Sequence, residues 1–322
     1  MRQEHIYIAI EFLNTHMGYS IKEMCIALKL NRSSYYKWKK RNPSPSELLN
    51  LRITEYVKDL YEKSNGVLGY RQMCININRE KTDELPHVIN VKRVRRIMRI
   101  LGLKSVIRKK RPDYVKSTPE ITAENVLNRD FKATVPFEKW LTDVTEFKYY
   151  VGPEVKKLYL SAILDLYDRR IIAYKIGDSN NNSLVFETFD EALKLYPEAK
   201  PIFHSDRGFQ YTSKVFQQKL GIQQMKQSMS RVGHCIDNGP TEGFWGIIKS
   251  EMYQMYDITD EQTLRFAIND YMKFYSETRI QERFNGKTPL EVRTEALVSN
   301  NPIEYPIPEN RRIKKYKEKW CA

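Results

Sequence analysis

The chain's 322 residues carry 54 Lys+Arg against 40 Asp+Glu, and the resulting net charge of +14 suits a polyanionic partner, nucleic acid above all. No apolar stretch approaches the roughly 18 to 20 residues a membrane-spanning helix needs, and Arg2, Glu4 and His5 stand where a secretory signal would be apolar. Cys25, Cys74, Cys235 and Cys321 form no C-x-x-C pair and support neither a disulfide framework nor a zinc finger, so the expectation is a cytoplasmic, nucleoid-associated protein with reduced thiols.

The first segment, 1–42, reads as helices. Ser20-Ile21-Lys22-Glu23 has capping-box spacing, Met24, Ala27 and Leu28 follow at helical intervals, and after a break at Leu30-Asn31 a second short helix runs from Arg32 to about Lys39. This is the outline of a helix-turn-helix whose second helix carries Arg32 and Lys37 toward DNA phosphates. A plain helical hairpin is the alternative, since the turn lacks the usual glycine. Asn42-Pro43-Ser44-Pro45-Ser46 is a linker that cannot continue a helix.

A second helical and basic module spans 47–112. Leu49, Ile53, Tyr56, Val57 and Leu60 form one helix face, Gly66 and Gly69 mark a turn, and Asn90 caps a helix from Val91 to Leu101 that stops at Gly102. Val91, Val94, Ile97, Met98 and Leu101 bury one stripe of that helix, leaving Lys92, Arg93, Arg95, Arg96 and Arg99 on the remainder. With Lys104, Arg108, Lys109, Lys110 and Arg111, the stretch from 92 to 111 holds ten basic groups and no acidic one. A charge run is usually a solvated face, but ten unopposed charges repel one another unless a polyanion neutralises them, so the run is expected to contact double-stranded DNA.

Residues 113–134 read as a linker, and from Lys139 the periodicity becomes that of strands. Trp140 to Val151 ends in Gly152-Pro153; Lys157 to Leu166 and Arg170 to Ile176 follow as two further strands. A helix with Val185, Phe186, Phe189, Ala192 and Leu193 on one face comes next, then a short strand from Pro201 to Ser205, a helix after Thr212 and a strand from Ile222 to Met225. Three strands followed by alternating helix and strand predict a mixed α/β sheet covered by helices over 135–256. Ser228 to Asp237 reads as a polar loop, and Asn238-Gly239-Pro240 opens a helix. The last part, 257–322, begins with an amphipathic helix from Thr259 to Tyr275 under a T-x-x-Q cap and ends in a basic tail, Arg311 to Lys319.

Asp143 falls in the first strand of this sheet, Asp206 just after the short strand, and Glu242 in the first turn of the helix after the loop. Strand ends and helix starts beside one sheet can bring such carboxylates together, and phosphodiester chemistry uses carboxylates to hold divalent metal ions. Three loosely spaced acids prove little; their surroundings decide. Trp140-Leu141-Thr142-Asp143-Val144-Thr145, His204-Ser205-Asp206-Arg207-Gly208-Phe209-Gln210-Tyr211 and Asp237-Asn238-Gly239-Pro240-Thr241-Glu242-Gly243-Phe244-Trp245, with Lys249 seven residues after Glu242, form one set. It resembles the insertion-sequence transposases of the IS-three family, downstream reading frame, and 35 residues separate Asp206 from Glu242 as in that family. The resemblance extends to the Tyr19 to Trp38 pair, to Gly69-Tyr70-Arg71, and to the Tyr275 to Arg293 segment with Arg279, Gln281 and Asn285-Gly286-Lys287-Thr288-Pro289. Gly239, Gly243 and His234 depart from the family's pattern without touching the three carboxylates.

The resemblance implies helix-turn-helix modules followed by an RNase H-like DDE integrase core and a C-terminal helical, basic extension. It implies that Asp143, Asp206 and Glu242 are catalytic and bind two Mg²⁺ (or Mn²⁺) ions, with no covalent enzyme–DNA intermediate. Lys249, two helical turns after Glu242, would hold a phosphate nearby; His204 and Gln210 would orient the loop around Asp206, while Asp237 and Asn238 would cap the following helix. Implied partners are double-stranded DNA (element terminal repeats and target), a second copy of the chain in a synaptic complex, and an upstream-frame protein, since no sustained heptads appear before Tyr19. Two other functions compete. A tyrosine recombinase would need His204-Ser205-Asp206-Arg207 on a helix, whereas it ends an apolar strand, and a non-catalytic regulator of the element would not need the carboxylates.

Overall fold

The computed structural model describes residues 4–80, 88–107, 124–231 and 235–307, so Arg108, Lys109, Lys110, Arg111, His234 and the basic tail lie outside the described residues. Two compact units divide the chain, Met1–Glu55 and Tyr56–Ala322. No helix among the described residues is long and apolar enough to cross a membrane.

In the first unit α1 (Glu4–Met17), α2 (Ile21–Ala27) and α3 (Arg32–Lys39) close around Tyr7, Ile10, Cys25 and Tyr35. Asn31 caps α3 by accepting the Ser33 amide at 3.0 Å. Ser20 occupies the N-cap position of α2 without accepting a hydrogen bond, so the expected capping box is absent and burial of Cys25 holds the helix instead. Helix α1 agrees with the helical reading of 1–42 and buries Tyr7 and Ile10, with Tyr7 packed against Tyr35 and Trp38. Helix α4 (Pro45–Lys63) begins inside the expected linker. Proline is tolerated in a first turn, where no backbone donor is needed, and Ser44 and Glu47 cap each other reciprocally (2.8 and 3.3 Å).

The second unit contains the rest of α4, with Val57 buried, then α5 (Tyr70–Arg79) and α6 (Val91–Ile100), whose Met73, Cys74, Ile77, Val94, Ile97 and Met98 are buried. Asn90 caps α6 through the Lys92 amide (2.8 Å), as expected. Val91 is exposed, so the buried stripe is narrower than the sequence indicates.

A five-stranded sheet follows, in the order β3-β2-β1-β4-β5. β1 (Lys139–Val151), β2 (Glu154–Asp165) and β3 (Ile171–Gly177) form an antiparallel meander, and β4 (Ile202–Ser205) and β5 (Lys226–Met229) add parallel to β1. Gly152, at φ +58°, supplies the left-handed residue of the two-residue turn between β1 and β2. On one face Trp140, Ile163, Ile172, Ala173 and Phe203 pack with α7 (Asn182–Leu195), the single turn α8 (Phe209–Thr212) and α9 (Lys214–Ile222). On the other, Phe147, Leu158, Leu160 and Leu164 pack with α10 (Gly239–Met255) and α11 (Glu261–Glu277). The result is a three-layered α/β core, a mixed sheet between two layers of helices.

The strand expected at Ile222 to Met225 is displaced. Ile222 ends α9, Gln224 turns the chain at φ +55°, and β5 is the polar stretch Lys226–Met229, whose pairing with β4 is tertiary and leaves no hydrophobic period to read. Asp260 and Thr263, not Thr259 and Gln262, form the capping box of α11. Leu127, Phe131 and Ala133 are buried with Leu141, Leu166 and Phe284 against α12 (Pro289–Val298). Arg293 of α12 is wholly buried, its guanidinium bonded to Asp165 (2.9 Å) and Asp168 (3.1 Å) beside the β2–β3 turn.

Candidate active site

Strand alternation turns Asp143, Thr145, Phe147 and Tyr149 of β1 to the face covered by α10 and α11. β4 lies parallel to β1 with Ser205 opposite Thr142, so Asp206, the first residue beyond β4, arrives beside Asp143. Glu242 stands in the first turn of α10, open to solvent on the rim. One turn later Trp245 donates its indole N–H to Asp143 Oδ2 (3.0 Å), while the Val144 amide bonds Oδ1 (2.8 Å). The Gly208 amide donates to Asp206 Oδ1 (2.9 Å) in a tight turn, where a Cβ on Gly208 would lie 2.8 Å from Gln210 Oε1 and force that side chain to shift.

Asp143 feels both other carboxylates, and Glu242 feels Asp206. Burial, then the Asp206 and Glu242 charges, push Asp143 up to about 7 against the hydrogen bonds from Trp245 and Val144. Burial raises Asp206, the Gly208 amide partly offsetting it. Partial desolvation and then the Asp206 charge raise Glu242. None of the three forms an ion pair with a described Lys or Arg. Three hard oxygen donors that no described cation neutralises fit a divalent cation chemically. At the described positions, however, no three His, Cys, Asp or Glu side chains surround one point closely enough to share an ion.

Lys249 lies on the same face of α10, its ammonium bonded to Thr145 Oγ1 (2.6 Å) and 5.4 Å from the centre of the Phe147 ring. It therefore stands two strand residues from Asp143. Tyr211 and Thr142, hydroxyl to hydroxyl at 3.2 Å, are buried beneath the carboxylates, and their roles were not evident from residue type.

Asp237 and Asn238 do not cap α10 as expected. Asp237 is buried between Arg129 (2.5 Å) and Arg231 (3.0 Å) and accepts from Asn125 (2.9 Å). Burial pulls its carboxyl up, but the bonds from Arg231 and Arg129 outweigh that and hold it below the usual range. The pairing ties residues 124–131 to the start of α10; two arginines distant in sequence give no local signal of it. Asn238 sits at the N-cap without a capping bond.

His204 is fully buried between the Ser228 (2.9 Å) and Ser230 (3.2 Å) hydroxyls, joining β4 to β5 below Asp206. Gln210 is buried over the Asp206 turn and bonded to Asn180. Burial pushes the His204 imidazole down to about 4, against Asp237, so it is neutral when folded. The unfolded imidazole takes a proton near 6.5, so this contribution to stability is complete above that pH and is lost as pH falls toward 4, by up to about 3 kcal/mol. Urea unfolding at neutral and acidic pH should show a smaller acid loss in His204→Gln than in the parent; equal losses would remove His204 as the cause.

The sequence-predicted DNA contacts divide between the units. Arg32 and Lys37 are exposed on α3 in the first; Lys92, Arg95, Arg96 and Arg99 are exposed on α6 in the second, where Arg93 is half-buried.

Residues 133–235 and 242–297 match families described as integrase core domains, and 49–111 match an HTH-like domain, which places that likeness on α4 to α6 and not on the α2–α3 pair. A putative transposase, InsK, for insertion sequence element IS150 of Escherichia coli is 36% identical over 87% of this chain and 95% of its own length. An uncharacterized transposase-like protein of Haemophilus influenzae is 40% identical over 65% of this chain and 95% of its own. Transposase InsF for insertion sequence IS3A of Escherichia coli is 28% identical over 89% and 98% respectively.

Proposed function

Because the chain belongs to the insertion-sequence transposases of the IS-three family, we propose that Asp143, Asp206 and Glu242 are the carboxylates through which it cuts and rejoins DNA. The protein is a DNA transposase with a polynucleotidyl-transferase core. The observation that carries the residue assignment is electrostatic: carboxylates from β1, the β4 exit and α10 are all raised, Asp143 by both of the others and Glu242 by Asp206, and none pairs with a described Lys or Arg.

In this reading the three carboxylates hold two Mg²⁺ or Mn²⁺ ions, which when bound activate the attacking oxygen and stabilise the leaving one. Trp245 and the Val144 amide hold Asp143 in one orientation, and the Gly208 amide does so for Asp206. Glu242, at the exposed start of a helix, supplies the ligand with the freedom to complete the set. Lys249 adds a positive charge for a phosphate lying across the carboxylates. Arg32, Lys37 and the α6 cations bind the DNA backbone. Pairing two element ends takes a second copy, and an upstream-frame protein is the further partner the family suggests.

Trp245→Phe keeps an aromatic ring and removes the one side-chain donor to Asp143 among the described residues. A hydrogen bond to a charged group contributes about 1.5–3 kcal/mol, so Mn²⁺ binding measured by calorimetry should weaken at least about tenfold. Unchanged affinity in a folded variant would show that the indole does not orient this carboxylate.

A further inference from the structure

A cleft of about 1370 Å³ separates α6 from the far end of α10 and the α11 exit, with Glu251, Met255, Thr278 and Arg279 on its core wall. Eight of its lining residues are Lys or Arg and three are Glu, which makes it strongly positive. The distribution of α6 charge is more telling. Lys92, Arg95, Arg96 and Arg99 all line the cleft, and they fall at i, i+3, i+4 and i+7, one stripe of the helix. None of the four pairs with a described carboxylate; Arg95 lies instead over the Tyr70 ring, 5.5 Å from its centre. On the facing wall Glu251 is consumed by Arg279 (2.7 Å) and by the Tyr271 hydroxyl (2.7 Å), so it does not neutralise them.

We propose that this cleft is a DNA-backbone track, in which phosphates run between the α6 stripe and the core wall and do not merely touch the outer side of the helix-turn-helix-like module. The inference rests on the transposase reading and deepens it. α10 links the two places: Glu242 stands at its start and Glu251 in the cleft wall, nine residues or about 14 Å further on. For a duplex running along α10 at 3.4 Å per base pair, phosphates in the track would lie about four base pairs from the carboxylates.

The test is binding of a labelled mixed-sequence duplex to the full chain between roughly 50 and 200 mM salt. Arg96→Gln with Arg99→Gln should reduce the slope of log affinity against log salt by about 1.8, two phosphate contacts. Thr278 is exposed on the opposite wall of the cleft, away from the α6 stripe. Thr278→Glu should weaken binding about fivefold, the effect of a like charge some 8 Å from a phosphate at intermediate dielectric, and Thr278→Lys should tighten it. Ser299→Glu, the same charge added outside the cleft lining, should change little. If the slope falls while neither Thr278 variant changes affinity, or while Ser299→Glu weakens binding as much as Thr278→Glu does, the track is overturned and the α6 contact stands. An unchanged slope overturns both.

Discussion

Asp143→Asn, Asp206→Asn and Glu242→Gln should each lower DNA cleavage and joining by more than about a thousandfold, beyond what the loss of one transition-state hydrogen-bond donor costs. Each substitution keeps the shape of the side chain and removes the charge a metal ion requires. Folding should not suffer, because all three carboxyls are raised in the folded protein and their charges repel. DNA affinity should stay the same or rise slightly, since a negative charge leaves a site that faces phosphates. Retention of joining activity by any one variant would remove that residue from the site, and parallel loss of DNA binding would make its role structural.

The second large effect belongs to Arg293. Its guanidinium is buried against Asp165 and Asp168, and burial with the Asp168 charge already pushes Asp165 up to about 6 despite that pairing. Arg293→Met would leave two carboxylates buried without their cation, a change that costs about 3–5 kcal/mol. The pH dependence has a definite sign. A carboxyl whose folded pKa exceeds its unfolded value of about 3.9 favours the folded state below that pH and loses that advantage as pH rises through its folded value. The variant's deficit should therefore be greatest above pH 6, where Asp165 must ionise, and should shrink toward pH 4. Urea unfolding across that range is the measurement, and a deficit under about 1 kcal/mol at neutral pH would mean that the clamp does not hold α12.

Much of the sheet and of α6 was legible because their signals are local. β1 to β3 are long and rich in β-branched and aromatic residues; α6 has an asparagine cap, a glycine stop and a period of 3.6. What escaped was set by tertiary contact. β5 is the tetrapeptide Lys226–Met229, which has no hydrophobic alternation and is recognisable only by its neighbour β4. The carboxylates could be singled out only through the motifs around them, since spacing alone does not distinguish three acids among 40. Their supports divide in the same way: the Gly208 turn is local to Asp206, whereas Trp245 reaches Asp143 across 102 positions and Arg129 reaches Asp237 across 108.

The central claim, that this chain cuts and rejoins DNA through metal held by Asp143, Asp206 and Glu242, is tested most directly by incubating the protein with DNA carrying the element's ends, in Mg²⁺ or in EDTA. The account predicts free 3′ hydroxyls and joined products with the metal and neither in EDTA, with no covalent protein–DNA species in either. Full joining in EDTA, or a tyrosine-linked DNA adduct, would contradict it.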